Sequence, residues 1–144
     1  MQRFSLNELF ESSFSRWPDK RAITFFSRGD METVLTFGQL DQDANRIAHV
    51  FRGSGVGKGD RVIFFIEKSL IAVIAHIAIQ KLGAVSVPLN PGFTKTELEY
   101  LLSDTDAALV LTEPDKQALI YEIDSEQKTL AVSTRKPYQD LDFF

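Results

Sequence analysis

The hexapeptide RVIFFI, residues 61–66, decides the fold class of this chain. Its apolar side chains occupy successive positions instead of alternating with polar ones, which is typical of a strand that is covered on both faces. Strands of that kind belong to parallel sheets that carry helices on both sides. The sequence therefore predicts an α/β fold built around a mostly parallel sheet.

The alternation of strand and helix continues along the chain. Ser69 predicts the cap of a buried central helix over Leu70–Leu82, which Gly83 would end in a left-handed conformation. Thr94 and Glu97 have the spacing of a capping box and open another helix. The other predicted elements are strands over 85–88, 108–111 and 129–132 and a helix that begins at Pro114. Their regular spacing is that of successive βαβ units, whose right-handed crossovers place helices on both faces of one sheet.

The residues before this unit predict a helix and a hairpin. Ser5 and Glu8 have the spacing of a capping box, and the helix that they open is expected to end at Trp17-Pro18. Two short apolar runs, 22–26 and 33–35, flank a turn that contains Gly and Asp. They predict an antiparallel β-hairpin.

A second helix is expected between Thr36, which forms a capping box with Gln39, and the glycine-rich segment 53–60, GSGVGKGD. This segment fits neither the Walker pattern nor the dinucleotide pattern. Both of those motifs follow a strand and enter a helix, whereas this segment leaves a helix and enters a strand. We interpret its glycines as a helix stop and Lys58 with Asp60 as a solvated turn.

Composition excludes several classes of protein. A length of 144 residues with 44% hydrophobic residues supports one folded core. The 16 Lys and Arg against 20 Asp and Glu give a net charge of −4, which argues against binding to nucleic acid or to anionic membranes. The absence of Cys excludes disulfides and thiolate catalysis. No apolar run approaches the roughly 20 residues of a membrane span, and none at the start is typical of a secretory signal, so we expect a cytoplasmic protein.

The two histidines do not predict a metal site or a catalytic base. His49 is expected on a helix flank, and His76, among Ile and Ala residues, in the core or at its edge. The sequence contains no H-E-x-x-H, no G-x-S-x-G and no carboxylate cluster at metal spacing. No motif in the sequence therefore supports the hypothesis of a hydrolase or of a metalloenzyme.

Two loops follow predicted strands at the edge where open α/β sheets bind ligands. Glu67-Lys68-Ser69 would either face a ligand or form a helix cap with a surface ion pair, and we favour the cap. In the rigid turn 88–92, PLNPG, Asn90 would either present its amide to a ligand or close an Asx-turn, and we favour the Asx-turn.

Five segments in their order along the chain resemble the beginning of an acyl-CoA synthetase of the adenylate-forming (AMP-binding) superfamily. The segment GVGKGDRV, residues 55–62, is similar to the family's G-V-x-x-G-D-R-V, and KLGAVSVPLN, residues 81–90, is similar to x-x-G-A-x-x-V-P-L-N. The other three are LTFGQL at 35–40, YLLSDT at 100–105 with AALVLT at 107–112, and WPDK at 17–20 before Ala22-Ile23. Glu67-Lys68-Ser69, the 88–90 loop and the helix over 94–100 are also reminiscent of the malonyl-CoA synthetase branch.

This resemblance implies a longer parent enzyme, of which residues 1–144 would be a partial N-terminal domain. Members activate a carboxylic acid with Mg·ATP to an acyl-adenylate and pyrophosphate, and then transfer the acyl group to coenzyme A. Their catalytic segments lie later, and no S-G-T-T-G-x-P-K string occurs here. No catalytic, cofactor-binding or metal-binding residue is therefore assigned to this chain, which is expected to be inactive alone and to bind none of ATP, Mg and coenzyme A.

Two alternatives to an acyl-CoA synthetase stay open: an adenylation domain of a peptide synthetase, which shares these segments, and a non-catalytic α/β binding or interaction module. A partial domain would expose apolar surface that evolved as interior. The chain holds 12 Phe residues, and Phe143 and Phe144 end it. We therefore expect self-association through an exposed apolar face.

Overall fold

The computed structural model describes residues 5–27, 29–135 and 137–141, so Phe143 and Phe144 lie outside the described residues. Helices and strands alternate from residue 61 onward, as the sequence predicts. The elements in chain order are α1 (Leu6–Arg16), β1 (Arg21–Ser27), β2 (Asp30–Thr36), α2 (Phe37–Gly53), β3 (Arg61–Phe65), α3 (Leu70–Leu82), β4 (Val85–Pro88), α4 (Lys95–Thr105), β5 (Leu109–Thr112), α5 (Pro114–Ile123), β6 (Thr129–Ala131) and a 3₁₀ turn (Tyr138–Asp140).

The main sheet has four strands in the order β4-β3-β5-β6, and every pairing in it is parallel. The hairpin of β1 and β2 forms a separate antiparallel sheet. The predicted α/β class, the parallel sheet and the hairpin are therefore confirmed. Strand β5 begins and ends one residue later than predicted, and β6 ends one residue earlier than predicted.

Strand β3 supplies both faces of the sheet with core residues. Val62 and Phe64 pack in a large cluster with α2 and α3, whereas Ile63 and Phe65 pack in a smaller cluster with α4 and α5. Successive residues of a strand point to opposite faces, so an unbroken apolar run fills both clusters. Two-sided burial of RVIFFI is confirmed.

Local capping signals place the helix ends. The Ser69 hydroxyl accepts a hydrogen bond from the Ala72 N–H at 3.4 Å, and Gly83 ends α3 with φ of 67°. The three predicted capping boxes, at the starts of α1, α2 and α4, are all formed. Helix α1 is less buried than its apolar pattern suggests, because Leu6 and Leu9 are each 52% exposed and Phe14 is its buried residue.

None of the helices in the described part of the chain has the length and hydropathy that a membrane span requires.

Candidate functional site

The strand order creates a switch point at the carboxyl edge of the main sheet. From β3 the chain passes through α3 to β4 on one side, and from β4 it returns through α4 to β5 on the other side of β3. The loops that leave β3 and β5 therefore diverge to opposite faces. Open α/β sheets bind ligands in the crevice at such a point, so this edge is the candidate functional site.

Four polar residues meet at this edge and form the carboxyl-edge cluster: Glu67, Glu113, Lys116 and Thr134. The Lys116 ammonium lies 3.0 Å from Glu113 Oε2 and 3.3 Å from Glu67 Oε1. The backbone N–H of Glu67 donates to Glu113 Oε2 at 3.4 Å, and the Thr134 hydroxyl donates to Glu113 Oε1. The cluster thus joins the loop after β3, the start of α5 and the loop after β6.

Glu113 is the centre of this cluster and is only 7% exposed. Burial raises the pKa of its carboxyl group, but the hydrogen bonds from Thr134 and Lys116, the Lys116 charge and the Glu67 N–H together outweigh burial, so the pKa lies below its ordinary value. Glu113 is therefore a carboxylate at neutral pH. It accepts hydrogen bonds and holds no proton to donate.

Glu67-Lys68-Ser69 behaves as the favoured interpretation predicts. Ser69 caps α3, and Glu67 forms an ion pair whose partner is Lys116 on α5. Sequence reasoning did not single out Glu113, Lys116 or Thr134. Glu113 directly follows β5, so the rule that pointed to the loop after β3 would also have found Glu113, whereas no local signal pairs it with Thr134.

The other loop, after β4, closes on itself. Asn90 Oδ1 accepts a hydrogen bond from the Gly92 N–H at 2.9 Å, so the predicted Asx-turn is confirmed. The Leu89 N–H bonds to the Phe64 carbonyl at 2.9 Å and ties the loop to β3. The amide oxygen of Asn90 is thus engaged by its own loop.

The prediction that His76 lies in the core or at its edge is wrong. His76 is exposed on α3, and its Nδ1 lies 2.8 Å from the Ser86 hydroxyl. Val73, one turn earlier, is also exposed (43%), so both residues lie on the single outward stripe of an otherwise buried helix. His49 lies exposed on α2, as expected of a helix flank.

The glycine-rich segment and the carboxyl-edge cluster lie at opposite edges of the main sheet. The glycine-rich segment 53–60 precedes β3 and so lies at the amino edge, opposite the carboxyl-edge cluster, with Asp60 accepting from the Gly57 N–H at 2.7 Å. The cluster itself carries two carboxylates against one ammonium, all engaged with one another. Within the described ranges no three His, Cys, Asp or Glu side chains could hold a metal ion together.

Residues 10–143 match the protein-family model described as AMP-binding enzyme. The chain belongs to this family of adenylate-forming enzymes, which confirms the resemblance seen in the sequence.

Sequence relatives include large synthetases. The chain is 36% identical over 122 residues to Tyrocidine synthase 3 of Brevibacillus parabrevis, which covers 85% of this chain and 2% of that protein. It is 37% identical over 114 residues to Nonribosomal peptide synthetase sidE of Aspergillus fumigatus, covering 79% of this chain and 5% of that protein. The chain therefore spans a small fraction of these relatives.

Solved structures of similar fold include ATP-bound MatB from Rhodopseudomonas palustris, with a TM-score of 0.77 and 29% identity over 91% of this chain and 26% of that one. A fatty acyl CoA synthetase of Mycobacterium tuberculosis has a TM-score of 0.77 at 23% identity, over 90% of this chain and 26% of that one, and supports the fold alone. This fold resembles the N-terminal domain of acyl-CoA synthetases.

Proposed function

We propose that residues 1–144 are the N-terminal part of an acyl-CoA synthetase. The parent enzyme would activate a carboxylic acid with Mg·ATP to an acyl-adenylate and pyrophosphate, and then transfer the acyl group to coenzyme A in the cytoplasm. The observation that carries the proposal is the family match over residues 10–143, together with a chain that spans 26% of the MatB structure. The catalytic, ATP-binding and metal-binding residues would all lie in segments after residue 144.

The geometry of this part supports a scaffolding role within that enzyme. Adenylation develops charge around the triphosphate and needs cationic groups or metal ions to stabilise it. The carboxyl-edge cluster has a net negative charge and is satisfied internally. It would hold loops in place at the edge of the sheet and leave phosphate chemistry to later segments.

An adenylation domain of a peptide synthetase is the second candidate. Identities of 36% with Tyrocidine synthase 3 and of 37% with Nonribosomal peptide synthetase sidE favour it. The acid activated would then be an amino acid, the building block of a peptide. Both candidates share acid activation by ATP and differ in the acid and in the acyl acceptor.

Two measurements test the proposal: the extent of the complete reading frame, and the carboxylic acid that the complete protein activates. A frame that continues beyond codon 144 into a phosphate loop would support both enzymes, whereas a stop codon there would favour the non-catalytic module. ATP–pyrophosphate exchange by the complete protein is then measured with malonate, fatty acids of several lengths, aryl acids and amino acids. Exchange with a non-amino acid followed by consumption of the coenzyme A thiol supports the acyl-CoA synthetase, and exchange with amino acids alone overturns it.

A matched control uses purified residues 1–144. We expect carboxylate-dependent ATP–pyrophosphate exchange at background, because this part holds no cationic cradle for a triphosphate among its described residues. An exchange rate that scales with protein concentration and survives a second purification would contradict the placement of the catalytic residues after residue 144.

A further inference from the structure

The segment that follows β6 returns across the molecule toward the N-terminal half. We call it the return segment: residues 133–135 together with Pro137–Leu141, which include the 3₁₀ turn. Thr134 contacts the carboxyl-edge cluster, and four residues later Tyr138 is buried in the large core beside α2. The return segment thus links the smaller and the larger helical face of the sheet.

Near each end of the return segment, a hydroxyl donates to a buried carboxylate. At the first attachment the Thr134 hydroxyl donates to Glu113, which is 7% exposed. At the second, the Tyr138 hydroxyl donates to Asp43 Oδ2 at 2.6 Å, and these two residues are 5% and 8% exposed. Hydrogen bonds to charged acceptors that are shielded from water are among the stronger ones in proteins.

Both carboxylates are held in place by further contacts, so neither attachment relies on a loose side chain. Glu113 is also bonded by Lys116 and by the Glu67 N–H. Asp43 projects from the middle of α2 and accepts a second bond from Arg46 at 3.2 Å. Glu113 and Asp43 are therefore also held by contacts that do not involve the return segment.

A cavity of about 90 Å³ lies beneath the return segment, at the start of α3. Both attachments border it, since Thr134 and Tyr138 are among its lining residues. The opposite wall is formed by the hairpin and by the first turn of α3: Phe25, Thr33, Ser69, Leu70 and Ile71. Release of either hydroxyl would therefore widen the access of water to the same cavity.

We propose that Glu113 and Asp43 hold the return segment as one cooperative unit that covers the cavity at the start of α3. The two bonds lie at opposite ends of a short segment above one cavity. Because both bonds border the same cavity, water that enters after one bond breaks can reach the groups at the other bond and compete for them. The segment is therefore expected to open as a whole. This inference concerns the folding of the chain on itself and does not depend on the proposed function.

The test removes one hydroxyl at a time and measures hydrogen–deuterium exchange by mass spectrometry. Thr134→Val and Tyr138→Phe each delete one attachment with little change of shape. If the unit is cooperative, either variant accelerates exchange about ten- to a hundredfold, the factor expected for one lost bond to a charged acceptor. The acceleration would extend over both halves of the return segment and over the first turn of α3.

Two control variants remove hydroxyls that form no hydrogen bond among the described residues. The Thr112 hydroxyl is buried without a hydrogen-bond partner in the described structure, and Tyr100 is 68% exposed. Thr112→Val and Tyr100→Phe are expected to leave exchange of the return segment unchanged. Thr134→Ser keeps the hydroxyl that Thr134→Val removes, so this variant is expected to exchange at the rate of the unchanged protein. Trypsin cleavage after Arg135, which lies exposed inside the segment, gives a second readout and is expected to quicken in both test variants.

Two results would overturn the inference. If each test variant accelerates exchange only in its own half, the attachments are independent and no cooperative unit exists. If neither variant changes exchange or trypsin cleavage while both remain folded by circular dichroism, the two bonds do not hold the segment at all.

Discussion

The two faces of the main sheet differ in how they are covered. Helices α2 and α3, of 17 and 13 residues, bury one face, and α3 contributes seven buried residues to it. Helices α4 and α5, of 11 and 10 residues, cover the other face with only Leu98, Leu102 and Ile120 buried. The face under α2 and α3 therefore carries more of the buried apolar surface, whereas the lightly packed α5 supplies Lys116 to the carboxyl-edge cluster.

The largest expected effect is a cavity in the better-packed face. Ile74 on α3 and Ile120 on α5 are both fully buried. Ile74→Ala is expected to lower the free energy of unfolding by about 3–5 kcal/mol and Ile120→Ala by about 2–3 kcal/mol, because the thinner layer around Ile120 collapses more easily. Urea unfolding of both variants measures the two losses in free energy of unfolding. Equal losses, or a larger loss in Ile120→Ala, would contradict the claim that the face under α2 and α3 is better packed.

The next effect is expected at the carboxyl end of α3. Gly83 ends α3 with φ of 67°, and a Cβ there would lie 3.2 Å from the Lys58 side chain. Gly83→Val is expected to cost roughly 1–3 kcal/mol, because a β-branched residue is strained in this conformation. Gly53→Val is the control, since Gly53 has an ordinary φ and open space around its Cα. Denaturant stability unchanged by Gly83→Val would contradict the assignment.

The third effect is a pH dependence that originates at the start of α5. The pKa of Glu113 is lower in the folded protein than its ordinary value of 4.5. Its contribution to stability is therefore present above the unfolded value and is lost as the pH falls through the folded pKa. Glu113→Gln is expected to cost about 1–3 kcal/mol at neutral pH and to flatten the fall of stability in acid.

Urea unfolding at several pH values between neutrality and pH ~3, below the unfolded pKa, checks this effect. The control is Glu99→Gln, since Glu99 is an exposed carboxyl group on α4 that lies outside the carboxyl-edge cluster. A Glu113→Gln variant with the acid slope of the unchanged protein would show that the cluster contributes no such linkage.

The smallest effect on stability is expected at the hairpin, outside both faces. Phe26 and Met31 lie opposite each other in the hairpin register and are 59% and 64% exposed. We expect residues 1–144 to self-associate and to bind a hydrophobic dye, and the double variant Phe26→Thr, Met31→Thr to reduce both with little loss of stability.

Sedimentation velocity over a concentration series, with dye fluorescence alongside, measures the self-association. Tyr100→Thr is the control for an isolated exposed aromatic residue, which is 68% exposed. A strictly monomeric unchanged protein without dye binding would favour the self-contained module over a part of a larger enzyme.

Much of this fold is predictable because its signals are local. The capping boxes at Ser5, Thr36 and Thr94 each require two residues three positions apart, and Gly83 acts within its own helix end. The exposure of His76 was mispredicted because apolar neighbours on both sides hide the narrow outward stripe of α3. Helical phase, in which residues three apart share a side, decides that exposure.

The candidate site is only partly predictable. The rule about strand ends led to Glu67, but its partner Lys116 is 49 residues away. The pair of Tyr138 and Asp43 spans 95 residues. Neither the spacing nor the composition of the sequence encodes such partners, because they depend on which strands become neighbours.

The class of fold, the helix caps and the hairpin follow from the sequence alone, since periodicity and capping operate within a few residues. Membership in the adenylate-forming family follows from five short motifs in their order along the chain. The strand order β4-β3-β5-β6 is visible in the folded chain alone, and this order brings together Glu67, Glu113, Lys116 and Thr134. The physical reason is that crossover connections bring distant strand ends to one edge, where buried charges then find partners from separate segments.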